Sequence, residues 1–302
     1  MQKASFEQFD EESYRKELAA KREALLKEPL ISDFLAKNHL KIEDIPNLSL
    51  FKEYLKSYQE CANCHGLNEC VKENPGQRMS IDYNGILVPV CEHCPYYYAK
   101  QEHDSHLKYF VYSDVPTNLQ NVFLSTMQVD ANEDARKLYV LLNQIVAGEF
   151  NRGLYIYGMF GVGKTYSCIA FLNELARKHK KVAFVKMNEF ASKMRNLVIK
   201  DNDLKNDICD RLKEVPYLVI DDIGAETTTS FIRDDLLFNI LDYRMGHNLI
   251  TIFTSNHSLK TLHEAFLYDN HQNRDDLKAG RLVERIRTLG LEFHLSGNNH
   301  RM

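Results

Sequence analysis

The segment Gly158-Met159-Phe160-Gly161-Val162-Gly163-Lys164-Thr165 constrains this chain more than any other, because it follows the apolar run Leu154–Tyr157 and precedes an amphipathic stretch. Its spacing, G-x-x-x-x-G-K-[ST], is that of a loop whose backbone N–H groups turn inward around phosphate oxygens. Glycine permits that turn, since positive φ and a missing Cβ let the backbone close on a ligand. Lys164 is expected to reach the β- and γ-phosphates of a nucleotide, and Thr165 to hold Mg2+. A strand entering the loop and a helix leaving it commit this part of the chain to an α/β layer structure.

The stretches beyond the loop fit that plan. Apolar runs at Leu154–Tyr157, Val182–Val185, Tyr217–Ile220, Leu249–Phe253 and Leu291–Leu295 read as strands. Helical spacing lies between them, as in Ile169, Leu172 and Leu175, and again in Phe231, Leu237, Ile240 and Leu241. A further helix is expected over residues 131–147, where Leu138, Leu141, Leu142, Ile145 and Val146 recur at helical spacing before Gly148. Strands alternating with helices imply right-handed crossovers and a parallel sheet covered on both faces, with a ligand at the carboxyl ends of the strands.

Two carboxylates follow the run Tyr217–Ile220, at the edge where a nucleotide would sit. Asp221 is assigned to Mg2+ and Asp222 to orienting an attacking water. The segment Thr251–Asn256 ends the next run in polar side chains, and Asn256 is assigned to sensing the γ-phosphate or positioning water; capping a helix ahead of Ser258 is the competing use. Toward the C-terminus, Lys278, Arg281, Arg285, Arg287 and Arg301 are offset only by Glu284 and Glu292. An arginine supplied across a subunit boundary stabilises charge on a transferring phosphoryl group, and Arg285 is nominated for this, with Arg281 second.

Composition bounds the alternatives. With 302 residues, 44% hydrophobic and 26% charged, the chain has an ordinary globular make-up and length enough for two domains. A net charge of −4 argues against a wholly basic nucleic-acid binder while leaving room for a local basic groove. No run reaches the roughly 18 apolar residues of a membrane span. Residues Met1–Asp10 have no apolar signal core, so a cytoplasmic location is expected.

In that compartment the 7 cysteines are not expected to form disulfides. Cys168 and Cys209 read as small core residues, whereas Cys61, Cys64, Cys70, Cys91 and Cys94 cluster. Cys61-Ala-Asn-Cys64 and Cys91-Glu-His-Cys94 have the form of a structural zinc knuckle, with Cys70 as alternate ligand and His65 and His93 as weaker ones. Four thiolates leave no open position, so such a Zn2+ would be structural. Around the cysteines, residues 5–28 and the spacing of Leu50, Phe51, Tyr54, Leu55 and Tyr58 read as helices. A polar stretch over residues 99–118 reads as a linker, with the boundary near 112. The expected architecture is thus a smaller, mostly helical, zinc-binding domain (1–112) ahead of an α/β P-loop domain (113–302).

Taken together, Gly158–Thr165, Ile220-Asp221-Asp222-Ile223-Gly224, Thr254-Ser255-Asn256 and Gly280-Arg281-Leu282-Val283-Glu284-Arg285-Ile286 resemble the AAA+ ATPases that load the bacterial replicative helicase, the DnaC/DnaI group. A cysteine-bearing domain ahead of the ATPase is similar to the DnaI type. The resemblance implies ATP and Mg2+ at the loop, Asn256 as the sensor and Arg285 as an arginine finger. It implies that the first domain grips the hexameric replicative helicase, with other primosome proteins as partners. It also implies oligomerisation around the nucleotide or assembly on the helicase ring, and contact with single-stranded DNA. Lys186, Lys193, Arg195 and Lys200, where loaders carry a helical insertion, are the DNA-contact candidates; a solvated helix face is the other reading.

Two departures from the pattern matter. Many AAA+ proteins carry Glu at the water-orienting position, so with Asp222 hydrolysis is expected to be slow or partner-dependent, and Glu226 is a rival. The short stretch after Leu295 leaves no helical lid, with Arg301 the candidate for a sensor-two role. Competing functions are a small-molecule P-loop kinase and a nucleotide-binding interaction module such as a transposition-helper ATPase. The clustered cysteines have no evident use in the first and are generally lacking in the second.

Overall fold

A computed structural model describes residues 10–129, 132–225, 229–268 and 274–300. Glu226 and Arg301 lie outside these residues. The chain divides between Glu102 and His103 into two compact units. That division precedes the boundary expected near 112, because Phe110–Ser113 is not linker but a strand in the sheet of the second unit.

The first unit opens with α1 (Glu11–Leu26), where the Asp10 carboxylate accepts hydrogen bonds from the Glu12 and Ser13 N–H groups. Helix α2 (Pro29–Lys37) starts at Pro29, whose missing N–H costs nothing in a first turn. After α3 (Ser49–Gln59), strands β1 (Gln77–Tyr83) and β2 (Leu87–His93) form an antiparallel hairpin with Met79 opposite Cys91. Helix α4 (Pro95–His103) follows. Leu25, Ile31, Leu35, Ile42, Ile45, Phe51, Tyr54 and Ile81 form the core, so one face of the hairpin is covered by helices.

The second unit begins with strand β3 (Phe110–Ser113). Helix α5 (Glu133–Ala147) is capped by Asn132 at its start and by left-handed Gly148 (φ 79°) at its end. Strand β4 (Gly153–Tyr157), α6 (Lys164–Arg177), β5 (Val182–Lys186), α7 (Met187–Lys200), α8 (Asn202–Glu214) and β6 (Tyr217–Asp221) come next. A π-helical turn, Phe231–Leu237, runs into α9 (Phe238–Gly246), then β7 (Ile250–Ser255), α10 (Leu259–Phe266), α11 (Asp276–Leu289) and β8 (Gly290–His294). The strands form a 6-stranded sheet in the order β3-β5-β6-β7-β4-β8, and every neighbouring pair is parallel.

Strand alternation explains the two cores. Leu154, Ile156, Val219 and Ile252 pack into one apolar cluster, with Phe171 and Leu172 of α6. Tyr155, Leu218, Ile220 and Phe253 pack into the other, with Leu282 and Ile286 of α11. Both faces are therefore apolar, as parallel sheets require.

One buried cation fixes the far end of this sheet. Arg244 of α9 is fully buried, and its guanidinium donates to the carbonyls of Leu212 (2.9 Å), Val215 (2.6 Å) and Ile250 (2.7 Å) and to Thr251 Oγ1 (2.9 Å). These acceptors flank the starts of β6 and β7. Burial pushes the guanidinium down to about 9, which leaves it protonated at neutral pH. Replacing Arg244 with Met would orphan several buried carbonyls at ~1–3 kcal/mol each, so Arg244→Met is expected to lower unfolding stability by at least about 3 kcal/mol in a denaturant titration.

Candidate nucleotide-hydrolysis site

Neighbouring strands β6 and β7 lead into polar residues at their carboxyl ends and β4 leads into the glycine-rich loop, so three chain segments meet at one sheet edge. The loop leaving β4 is anchored on both sides. Gly158 N–H donates to Ser255 O at 3.3 Å, and the N–H of Leu295 donates to Tyr157 O at 2.8 Å. A Cβ on Gly158 would fall 2.1 Å from Leu295 O, so only glycine fits. Gly163 has φ 95° directly before α6, turning the loop into the helix, whose first N–H groups have no partner within it.

The named side chains form a connected set. Lys164 is 8% exposed, and its Nζ donates to Gly158 O (2.7 Å), Met159 O (2.8 Å) and Asn256 Oδ1 (3.0 Å). Asn256 Nδ2 donates to Asp222 Oδ1 at 3.1 Å. On the other side, Thr165 Oγ1 donates to Asp221 Oδ1 at 2.8 Å. The hydroxyl of Thr254 donates to the same oxygen at 2.6 Å and accepts the Asp222 N–H at 2.9 Å. Lys164, Thr165, Asp221, Asp222 and Asn256 are therefore brought together, and Thr254, the first residue of the Thr254-Ser255-Asn256 motif, joins them. In the sequence Thr254 carries no role of its own, because a hydroxyl at the end of an apolar strand does not show which groups it will meet.

Asp221 is 3% exposed. Burial raises its carboxyl above the ordinary carboxylate range, while hydrogen bonds from Thr254 and Thr165 pull it back and the charge of Asp222 pushes it up again. A buried carboxylate oxygen hydrogen-bonded to the loop hydroxyl is a hard-oxygen pair suited to Mg2+, which keeps waters and phosphate oxygens for its remaining positions. Thr165 and Asp221 are the residues that would hold it.

Other nominated residues lie outside this network. Arg285 on α11 donates to Asp242 Oδ1 through Nε (2.9 Å) and Nη2 (2.6 Å) and lies over the Phe238 ring at 3.8 Å. Arg281, one turn earlier, is exposed. Of the DNA-contact candidates, Lys186 pairs with Glu189 at 2.6 Å and Lys193 lies over the Tyr112 ring, while Arg195 and Lys200 are exposed on α7. Cys168 is fully buried in the core, as expected, and Cys209 is partly buried.

The zinc set expected from the spacing, Cys61, Cys64, Cys91 and Cys94, is not assembled. Among the described residues no group of three or more His, Cys, Asp or Glu side chains is arranged to hold a metal ion. Cys91 is exposed within β2, whereas Cys94 lies past the strand end, so this pair is not folded into one turn. Cys70 accepts a hydrogen bond from the Gly76 backbone, and Cys94 N–H donates to Gly76 O at 2.8 Å. Burial raises the Cys61 thiol, and Cys64 and Cys70 are near enough to add to that.

Comparison with known proteins places this geometry. Residues 126–283 match the family described as IstB-like ATP binding protein. The replicative helicase loader DnaI of Bacillus subtilis (strain 168) is 30% identical over 298 residues, which is 95% of this chain and 94% of that protein. A crystal structure of DnaI superposes with a TM-score of 0.53 at 32% identity, covering 65% of this chain and 99% of the other. A putative primosome component from Streptococcus pyogenes serotype M3 also gives 0.53, at 29% identity, over 67% of this chain and 100% of the other. The DnaC helicase loader shares the fold, with a TM-score of 0.50 at 22% identity over 60% of this chain and 100% of its own.

A parallel sheet, a phosphate loop and two acids at the end of a strand two places away from it in sheet order define an AAA+ P-loop ATP-binding domain. The chain belongs to the DnaI family of replicative helicase loaders, with an IstB-like ATP-binding domain.

The raised Asp221 carboxyl has a signed consequence. The folded protein takes up this proton more readily than the unfolded chain, so the stability it contributes is full below the unfolded pKa and is lost as pH rises through the folded one. Without nucleotide, Asp221→Asn is therefore expected to raise the melting temperature at neutral pH, with a gain that shrinks as the solution is acidified. A gain that grows on acidification would contradict this.

Proposed function

We propose that this chain loads the replicative DNA helicase in an ATP-dependent manner during primosome assembly, at replication initiation or restart. The observation that carries the proposal is the network in which Lys164 is tied to Asp222 through Asn256 and Thr165 directly to Asp221, with Thr254 joining the two acids. Similarity to a helicase loader over 95% of the chain, first unit included, favours loading over a metabolic kinase.

Each residue has a role that follows from its place. Lys164 exchanges its bonds to the Gly158 and Met159 carbonyls for phosphate oxygens. Thr165 and Asp221 hold Mg2+, which when bound neutralises charge on the β- and γ-phosphate oxygens. Asp222 orients the attacking water. Asn256, between Lys164 and Asp222, reports the γ-phosphate to the water-orienting acid. Because Asp222 is one methylene shorter than Glu, hydrolysis by the chain alone is slow.

Partners follow the same reading. The first unit grips the hexameric helicase, and copies of the chain assemble around nucleotide or on the helicase ring. Arg285, held by Asp242 and Phe238, is the finger presented to a neighbouring copy. Lys193, Arg195 and Lys200 supply contacts to single-stranded DNA, which would weaken as salt is raised. The protein acts in the cytoplasm; among the described residues no helix is long and apolar enough to cross a membrane.

A structural Zn2+ in the first unit is part of the proposal. It is supported by the spacing of the two C-x-x-C pairs. Metal analysis of the purified chain is expected to give about one equivalent of zinc, reduced in Cys61→Ser. Zinc at trace level in the parent chain would remove the ion.

The main test is ATP turnover without any acceptor, measured with and without the replicative helicase. Turnover is expected with the parent chain and to fall about a hundredfold or more in Lys164→Ala. Phosphate release that requires a small-molecule acceptor would instead support a kinase.

A further inference from the structure

We propose that Thr254 is a positioning residue that locks the metal-side acid Asp221 and the water-side acid Asp222 to one another, so that the two carboxylates act as a unit. The proposal rests on the hydrolysis reading given above, and it gives a role to a residue to which the motif pattern assigns none.

The ladder between β6 and β7 ends at the pair Ile220–Phe253. Beyond that pair, Thr254 makes three of the links across to the exit of β6, alongside Ser255 Oγ to Ile223 O (2.7 Å) and Asn256 Nδ2 to Asp222 Oδ1 (3.1 Å). The Thr254 hydroxyl donates to Asp221 Oδ1 at 2.6 Å and accepts from Asp222 N–H at 2.9 Å, and its carbonyl accepts from Ile223 N–H at 2.9 Å. One residue thus fixes three consecutive residues of the facing segment. Thr254 is 1% exposed, so water does not compete for these bonds.

The geometry it holds is unfavourable by itself. Asp222 has φ 59°, a left-handed conformation that costs an L-residue about 1–2 kcal/mol and persists only when neighbours hold it. With that turn in place, Asp222 Oδ1 accepts from Asn256, and Asn256 accepts from Lys164. On the other side Asp221 accepts from Thr165. The hydroxyl of Thr254 therefore closes a path Lys164–Asn256–Asp222–Thr254–Asp221–Thr165, which begins and ends on adjacent residues of the phosphate loop. A hydroxyl is the smallest group that can donate to the carboxylate and accept from the amide at once. Valine has the same shape and does neither.

The test uses the full-length chain with Thr254→Val and Thr254→Ser, and Thr254→Ala as a second hydroxyl-free variant should the valine protein not fold. In nucleotide-free protein, hydrogen exchange at the Asp222 amide is expected to rise by about tenfold in the hydroxyl-free variant and to stay near the parent rate in Thr254→Ser. The Mg2+ concentration for half-maximal ATP binding is expected to rise at least about tenfold without the hydroxyl, because groups that orient a metal ligand carry about that much affinity. Turnover at saturating ATP and Mg2+ should fall by a similar factor, while ATP affinity at saturating Mg2+ changes by less than about threefold.

Unchanged exchange and Mg2+ dependence in the hydroxyl-free variant would overturn the proposal. So would a serine variant that behaves like valine, since the hydroxyl would then not be responsible. The exchange measurement needs no nucleotide, so it decides the role of Thr254 even if the parent chain proves not to hydrolyse ATP, an outcome that would count against the hydrolysis reading alone.

Discussion

A carboxylate taken out of water at the end of a buried strand costs several kcal/mol unless hydrogen bonds or a cation compensate it, and Asp221 is such a group. It sits at the carboxyl end of β6, between β5 and β7 in a sheet covered on both faces. Thr165 from the phosphate loop and Thr254 from β7 supply the compensation. Those two bonds tie three neighbouring segments, β6, β7 and the loop after β4, into one rigid edge. At the opposite end of the same strands, Arg244 gathers the carbonyls that precede β6 and open β7. The pair β6–β7 is thereby pinned at both ends, by a buried cation at one and a buried anion at the other.

This arrangement gives nucleotide binding a mechanical readout. Every bond that Lys164 makes in the network is one that a phosphate oxygen can replace. In the proposed mechanism, moving the lysine onto phosphates would release Asn256 from one side and leave it bound to Asp222, so that the terminal phosphate would be felt at that acid. The C-terminal segment shares the loop's backbone: Leu295 N–H bonds Tyr157 O and His300 N–H bonds Gly161 O at 3.0 Å. A shift of the loop is therefore passed to the end of the chain as well as to β7.

What the amino-acid pattern reveals and conceals follows from the same physics. Gly158, Gly163, Lys164, Thr165, Asp221, Asp222 and Asn256 are legible because phosphate and metal chemistry demand those residue types at fixed distances from strand ends. Strand β3 is hidden because Phe110–Ser113 is short and set in polar sequence, and only its pairing with β5 makes it a strand. The β1–β2 hairpin is similarly obscured by half-buried positions on both strands. Arg244 reads as one more charge on a helix, since nothing local announces that five acceptors will surround it. Thr254 looks like any β-branched residue in a strand. The cysteine spacings likewise state that sulfurs are available without stating which of them meet, and among the described residues no three of them gather into a metal site.

ATP-dependent loading of a ring helicase is tested most directly on a circular single strand, which a closed ring cannot thread from an end. The measurement is unwinding of an oligonucleotide annealed to a circular template by the replicative helicase, with and without this protein. Unwinding is expected to appear with the parent chain and ATP and to be lost or strongly reduced with Lys164→Ala. Equal unwinding with and without the chain, or full activity with the Lys164 variant, would contradict the role assigned to this site.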